Sequence, residues 1–421
     1  MGGGGTLEDR LDVTQVLVVG AGIVGLSCAW SLQEHGIEVE IVDRRQAGSG
    51  ASWGNAGFLS PALTVPLPEP SILRYGLRAV LDPRSPVALP MPASARTVAF
   101  LARMVRHCTR ERWERSMAVY RPLNEQIFEA FDQQRSGGVE AAITDADVVV
   151  AFRRPSEAAG VLAELQAVVA AGQEVRVEVL TGPQARAIEP HLSAAISTAV
   201  IVRSQRYITP HAYVAALTEQ VLIRGGKLTE DMPVTGVQRR GRRVVVTGVD
   251  RELEADAVIL AAGSWLSALA RPHGVRIPVQ AGRGYSFTVP SPQPLVGPVY
   301  LPSTRVAVTP AGARARLAGI MEFTDADAPP GRRRIPSMVR AVRPLLEQLD
   351  LDDRADEWVG PRPLTSDGIP LVGASRTPGV FVAGGHGMWG VTLGPLTGRL
   401  LAERIVTGVQ APELRPLDPL R

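Results

Sequence analysis

Three glycines and one acid carry the clearest chemistry in the sequence. Gly20, Gly22 and Gly25 form a G-x-G-x-x-G run, and Asp43 follows the last of them by 18 residues. The spacing has a physical logic. Gly20 permits a tight turn, Gly22 lets backbone approach a pyrophosphate, and Gly25 lets a helix pack closely on a strand. A diphosphate would sit where unpaired amides and the helix dipole favour an anion, and Asp43 is placed to accept hydrogen bonds from a ribose 2′-hydroxyl. This recognises an ADP-ribose moiety and does not by itself separate FAD from NAD. The stretch 44–61, RRQAGSGASWGNAGFLSP, is small and polar, and its glycines would let backbone lie against a flat cofactor.

The elements that must position these residues are legible around them. Gln15–Val19 is an apolar run of strand length, suited to a parallel strand covered on both faces. Residues 23–35 have helical composition and Gly36 stops them, and 39–42 read as a second strand ended by Asp43. Two later segments repeat the strand-to-glycine ending: AVILAAGSW at 257–265, and GVFVAGGHGMWGVTLGPLTGRLLAERI at 379–405, which runs on into a helix. Three such endings suit a long cofactor touched along its whole length. The last helix could aim its N-terminus at the negative charge of a reduced flavin.

Composition bounds the rest. The chain has 421 residues, 45% hydrophobic and 21% charged, as a globular protein should. Its net charge is only +3, and a single lysine, Lys227, stands among the 45 basic residues. So small a surplus argues against a nucleic-acid partner. Cys28 and Cys108 lie alone, without zinc-ligand spacing, so no metal or disulfide framework is expected. The longest apolar stretch, 16–30, is too short to cross a bilayer, and no signal peptide is read, which predicts a cytoplasmic protein. MGGGGT fits a myristoylation pattern formally, but residues 1–10 read as a flexible tail.

The motifs VLVVGAGIVGLSCAW (16–30), SWGNAGFLSP (52–61), RIPVQAGRGYSFTVP (276–290), RVAVTPAGARARLAGIMEF (305–323), GPRPLTSDGIPLVG (360–373) and AGGHGMWGVTLGPLTGRLLAERI (383–405) occur in one order over nearly the whole chain. In them the sequence resembles the D-amino-acid oxidase superfamily of FAD enzymes, most of all its bacterial D-amino acid dehydrogenase small subunits. The resemblance implies an α/β fold: a Rossmann-type, glutathione-reductase-like FAD-binding domain plus an α+β substrate domain with a mixed, largely antiparallel sheet. It places the FAD domain in 11–60, 200–268 and 355–421, and the substrate domain in 61–199 and 269–354.

The resemblance also implies FAD as cofactor. The expected cofactor contacts are Gly20, Gly22, Ile23, Val24, Gly25, Asp43, Arg44, Ser52, Asn55, Ala56, Gly57, Val234, Ala262, Gly263, Trp265, Gly385, Gly387, Met388, Gly390, Val391 and Thr392. The implied reaction is oxidative deamination of an amino acid, with hydride passing from Cα to flavin N5 and a 2-oxo acid and ammonia as products. Arg362, in the family's G-x-R-P segment, is the expected holder of the substrate carboxylate, because a guanidinium matches a carboxylate with two parallel hydrogen bonds. Tyr285 and His386 are the other candidates at the reacting centre. Tyr285 reads equally well as a core tyrosine with a hydrogen-bonded hydroxyl.

Electrons would pass to a respiratory acceptor, a quinone or an electron-transfer protein. The alternatives are an oxygen-using oxidase of glycine, sarcosine or a D-amino acid, and a flavin-binding electron-transfer subunit of a hetero-oligomer. Homo-oligomers are equally open. Residues 95–121 read as one amphipathic helix, ordinarily a core helix with a solvated arginine face and alternatively a contact with the inner face of a membrane.

Overall fold

The computed structural model describes residues 13–70 and 85–421. The expectations for the 1–10 tail, and the part of the Pro-rich stretch that falls at 71–84, lie outside those residues. Two sheets organise the chain. The first has six strands in the order Leu371–Ala374, Val380–Gly384, Ala257–Leu260, Gln15–Val19, Glu38–Val42, Lys227–Thr229. All neighbours are parallel except the edge strand Leu371–Ala374. Its central strands are apolar without interruption because both faces are covered. Val16 and Val18 pack beneath helices Ile23–Glu34 and Gly390–Thr407, while Leu17 and Val19 face a three-stranded antiparallel sheet through Val244 and Val246.

The second sheet has ten strands and is mostly antiparallel. Its long members are Ile143–Phe152, Thr198–Ile208, Val279–Pro290, Arg314–Phe323 and Ala355–Thr365, the last at an edge. Tyr285, Phe287 and Val289 point into a core with helix Arg334–Val342. The alternate positions Gly282, Gly284 and Ser286 turn to the opposite face. Helix Ala95–His107 covers part of that face, with Phe100 and Met104 against Met321 and Leu364.

Three expectations need revising. The sheets do not divide at 200 and 355, because Thr198–Ile208 and Ala355–Thr365 both pair within the larger sheet. Helices Arg110–Asn124 and Ile127–Ser136 lie inside 61–199, yet they pack Trp113, Met117, Tyr120 and Phe131 against the core of the parallel sheet. The segment 95–121 is two helices, broken at Cys108 and restarted where the Thr109 hydroxyl accepts the Arg112 amide. Among the described residues no helix is long and apolar enough to cross a membrane. Nor is there a metal-holding cluster among them, and both cysteines are buried thiols.

Candidate functional site

A cavity of about 580 Å³ runs from the first glycine turn to the edge of the larger sheet. At one end, Gly20 has φ +116°, and a side chain there would strike the Ala261 carbonyl. Gly22 opens helix Ile23–Glu34 and leaves its first turn facing the cavity, with only Ser52 Oγ 3.5 Å from where a Cβ would stand. Ser52 Oγ accepts the Ile23 amide at 3.1 Å. Gly25 lies outside the cavity lining. A Cβ on it would overlap the Gly20 carbonyl, so it sets helix-to-strand distance as the spacing predicts. Asp43 lines the cavity, its Oδ2 accepting the Ala21 amide at 2.7 Å and its Oδ1 the Arg45 amide at 2.9 Å. Burial pushes its carboxyl up, against these hydrogen bonds and the nearby Arg44 charge. Two bonds leave the carboxylate further lone pairs for a hydroxyl.

The middle of the cavity is lined by Ile23, Val24, Asn55, Val234, Ala262, Gly263, Trp265 and Arg44. Gly263 has φ +53° with open space where a side chain would stand. Ser264 Oγ donates to the Pro361 carbonyl at 3.0 Å and ties this turn to the edge strand of the larger sheet. Across the mouth, Arg44 lies 4.5 Å over the Trp265 ring, and both donate to Asp327, at 3.2 and 2.8 Å. This three-residue clasp joins the first sheet's loops to the 324–330 segment. Burial would raise the Asp327 carboxyl, but the indole donor and the arginines outweigh it and hold it down.

At the far end Gly387, Met388, Gly390 and Val391 line the cavity, with the Gly387 amide donating to the Pro363 carbonyl at 2.8 Å. Besides Gly25, four expected contacts do not. Ala56 turns its carbonyl to Thr309 and Gly57 pairs with Ile208, which knits 55–59 into the larger sheet, while the Thr392 hydroxyl, on helix Gly390–Thr407, donates to the Phe58 carbonyl. Gly385, at φ +72°, faces Thr365 and Leu371.

Arg362 comes off the edge strand into the cavity wall. Its Nη1 donates to the Ile320 carbonyl at 2.7 Å, and no carboxylate among the described residues lies within 4 Å. Burial pushes it down to about 10, so it stays charged at neutral pH. Gly284 makes room for it, since a Cβ there would overlap the guanidinium. His386 also lines the cavity. Its Nε2 is 2.9 Å from the Thr397 hydroxyl, and burial lowers it to about 4, which leaves it neutral and a weak base.

Of its two readings, Tyr285 takes the core one. It points into the core on the other face, donates to Glu322 Oε2 at 2.7 Å and accepts the Gly331 amide at 3.0 Å. It therefore anchors the end of the clasp segment, not a ligand. Arg283, overlooked in the sequence, is almost wholly buried, lines the cavity and donates to the Pro329 carbonyl at 3.2 Å. Gly398 was equally silent: a Cβ there would overlap the Ser27 carbonyl, so it lets the two cavity-facing helices cross closely. A buried chain of Glu189, His191 and Ser291, with contacts of 2.6 and 3.1 Å, is remote from the cavity lining and serves packing.

The glycine cradle, the ribose-facing acid and the elongated cavity fit FAD. Two curated relatives are D-amino acid dehydrogenases. That of Xylella fastidiosa (strain M12) is 30% identical over 93% of this chain and 92% of its own length. That of Methylobacterium radiotolerans is 32% identical over 96% and 98%. The solved glycine oxidase of Geobacillus kaustophilus shares the fold, with a TM-score of 0.74 at 21% identity over 97% of this chain and 99% of its own. The DAO family model, described as FAD dependent oxidoreductase, matches residues 15–404, and the chain belongs to that family of FAD-dependent oxidoreductases.

Proposed function

We propose that the protein oxidises a D-amino acid at its Cα–N bond, yields a 2-oxo acid and ammonia after hydrolysis, and hands the electrons to an acceptor other than oxygen. Arg362 carries the reading: a buried guanidinium with one carbonyl partner and no carboxylate, standing in the wall of the cofactor cavity. A desolvated cation without a counter-ion favours an anionic ligand, and a carboxylate supplies both charge and matching geometry. The choice of D-amino acids and of a dehydrogenase leans on the two relatives.

FAD, when bound, supplies the two-electron acceptor for the hydrogen on the substrate's Cα. Gly20, Gly22 and the first turn of Ile23–Glu34 would hold its diphosphate, and Asp43 its ribose. Arg362 fixes the substrate carboxylate and so restricts how Cα presents its hydrogen. Neutral His386 adds no positive charge beside the amine, whose proton leaves to water. The two sheets would act as an FAD-binding and a substrate-capping body joined along the edge strand. Exposed Val98 and Val105 on helix Ala95–His107, with Arg103 and Arg106 beside them, support contact with an anionic membrane that holds a quinone acceptor.

The test is anaerobic mixing of the FAD-loaded protein with D- and L-alanine. D-alanine should bleach the oxidised flavin band, and an artificial acceptor, not air, should restore it. Bleaching by L-alanine alone, or none by any amino acid, overturns the reading; peroxide equal to substrate consumed makes the protein an oxidase. Sedimentation with anionic but not neutral vesicles is the expected membrane result, and none with either removes that contact.

A further inference from the structure

Arg362 has a counterpart on the same face of the larger sheet. Arg316, on strand Arg314–Phe323, is 2% exposed. Its Nη1 donates to Ser286 Oγ at 3.0 Å, while Nε and Nη2 have no hydrogen-bond partner. No carboxylate among the described residues lies within 4 Å of it; Asp356 acts on it only through space and accepts the Thr288 hydroxyl at 2.8 Å. A buried guanidinium with spare donors is costly unless something charged or polar meets them.

The register brings the two cations together. Arg362 pairs with Gly282 and lays its guanidinium over Gly284, whereas Arg316 pairs with Thr288 and reaches back to Ser286. Gly284 and Ser286 are successive positions on one face of strand Val279–Pro290, about 7 Å apart. The arginines thus approach one patch from opposite ends. Arg316 and Ser286 lie just outside the cavity lining: the Trp53 ring lies 5.0 Å from the guanidinium, on the turn that also carries the cavity-lining Ser52, and Gly54 and Trp358 pack beside Ser286. Trp53 is half-buried and sits in no strand or helix, so opening the donors to the cavity needs a shift of this turn and of the neighbouring Trp358 ring, with no strand unpaired.

We propose that Arg316 and Ser286 form a second anion subsite that takes the distal carboxylate of a substrate whose α-carboxylate is held by Arg362, so that the preferred substrate is a dicarboxylic amino acid. This rests on the amino acid reading above. Two or three carbons between carboxyl groups, as in aspartate or glutamate, set the charged ends a comparable distance apart. Swapping the distal carboxylate for an amide keeps the shape and removes the charge, which makes glutamate and glutamine the discriminating pair.

The experiment compares D-glutamate with D-glutamine, and non-reacting glutarate with butyrate, on the FAD-loaded protein, reading steady-state kinetics and perturbation of the flavin spectrum. D-glutamate should exceed D-glutamine in kcat/KM by roughly tenfold or more, mostly through KM, as expected for one charge-assisted contact. Glutarate should bind more tightly than butyrate by a similar factor. In Arg316→Met the D-glutamate to D-glutamine ratio should fall towards one, and Arg316→Lys should restore part of it. A ratio near one in the unaltered protein, or one preserved in Arg316→Met, overturns the subsite. Should the variants fail to fold, the comparison on the unaltered protein decides alone. If no amino acid bleaches the flavin while glutarate still outbinds butyrate, the reaction assignment falls and the subsite stands.

Discussion

Replacing Arg362 by leucine separates substrate holding from folding. The wild-type side chain offers the cavity a guanidinium whose one oxygen partner is the Ile320 carbonyl, at 2.7 Å, beside a weak contact with Met321 Sδ. Two charge-assisted hydrogen bonds to a substrate carboxylate, each worth about 1.5–3 kcal/mol, sum to roughly 3–6 kcal/mol. Their loss should lower kcat/KM by about 10²–10⁴-fold. Stability should move little. The fall from 12.5 to about 10 is a native-state penalty of roughly 3 kcal/mol on the charged form, which leucine removes. Against that, the Ile320 carbonyl loses its donor, at a cost of about 1–3 kcal/mol. The assay is steady-state kinetics with D-alanine and D-alaninamide, beside flavin content and thermal melting. The amide lacks the carboxylate, so its already low rate should fall far less than that of D-alanine. A kcat/KM within about threefold of wild type with flavin retained, or equal losses for acid and amide, would refute the carboxylate assignment.

Gly20→Ala and Gly22→Ala should fail differently: the first meets the Ala261 carbonyl at positive φ and should destabilise the apoprotein, while the second meets only Ser52 Oγ at an ordinary 3.5 Å, keeps the apo melting temperature and weakens FAD retention in equilibrium dialysis. His386 titrates at about 4 when folded and near 6.5 when unfolded, so the unfolded chain binds the extra proton between these values. Stability should therefore drop by roughly 3 kcal/mol as pH falls from 6.5 to 4, and His386→Asn should flatten that part of the urea-denaturation profile. Tyr285→Phe leaves Glu322 and the Gly331 amide short of a partner and should cost about 1–3 kcal/mol in urea unfolding, with kcat for D-alanine changed less than threefold; a hundredfold loss of kcat would return Tyr285 to the reacting centre.

The nucleotide end of the site was readable because its geometry is local: the strand, the turn and the first helix span fewer residues than one supersecondary unit, and glycine spacing dictates their fit. The edge strand Ala355–Thr365 was misassigned because its membership depends on pairing with Val279–Pro290, some 75 residues away, which no local pattern encodes. The same holds for Tyr285. Alternation tells that 283, 285 and 287 share a face but not which of them reaches the cavity: Arg283 at its end does, whereas the Tyr285 ring lies in the core. Among so many arginines Arg362 stood out only through its flanking motif. Arg283 and Arg316 had no such flag, since burial of a guanidinium is a tertiary property.

The path of the chain between the sheets bears on how a substrate gets in. It passes from Glu38–Val42 to Phe58–Leu59, from Thr198–Ile208 to Lys227–Thr229, from Ala257–Leu260 to Val279–Pro290, and from Ala355–Thr365 to Leu371–Ala374. Bodies stitched at four points have no single hinge about which to open like jaws. Heating should then give one cooperative transition, and limited proteolysis should release no autonomous half. The 324–330 segment borders the cavity outside any strand and is buttoned at Asp327 by Arg44 and Trp265, so high salt, by loosening that button, should speed ligand exchange.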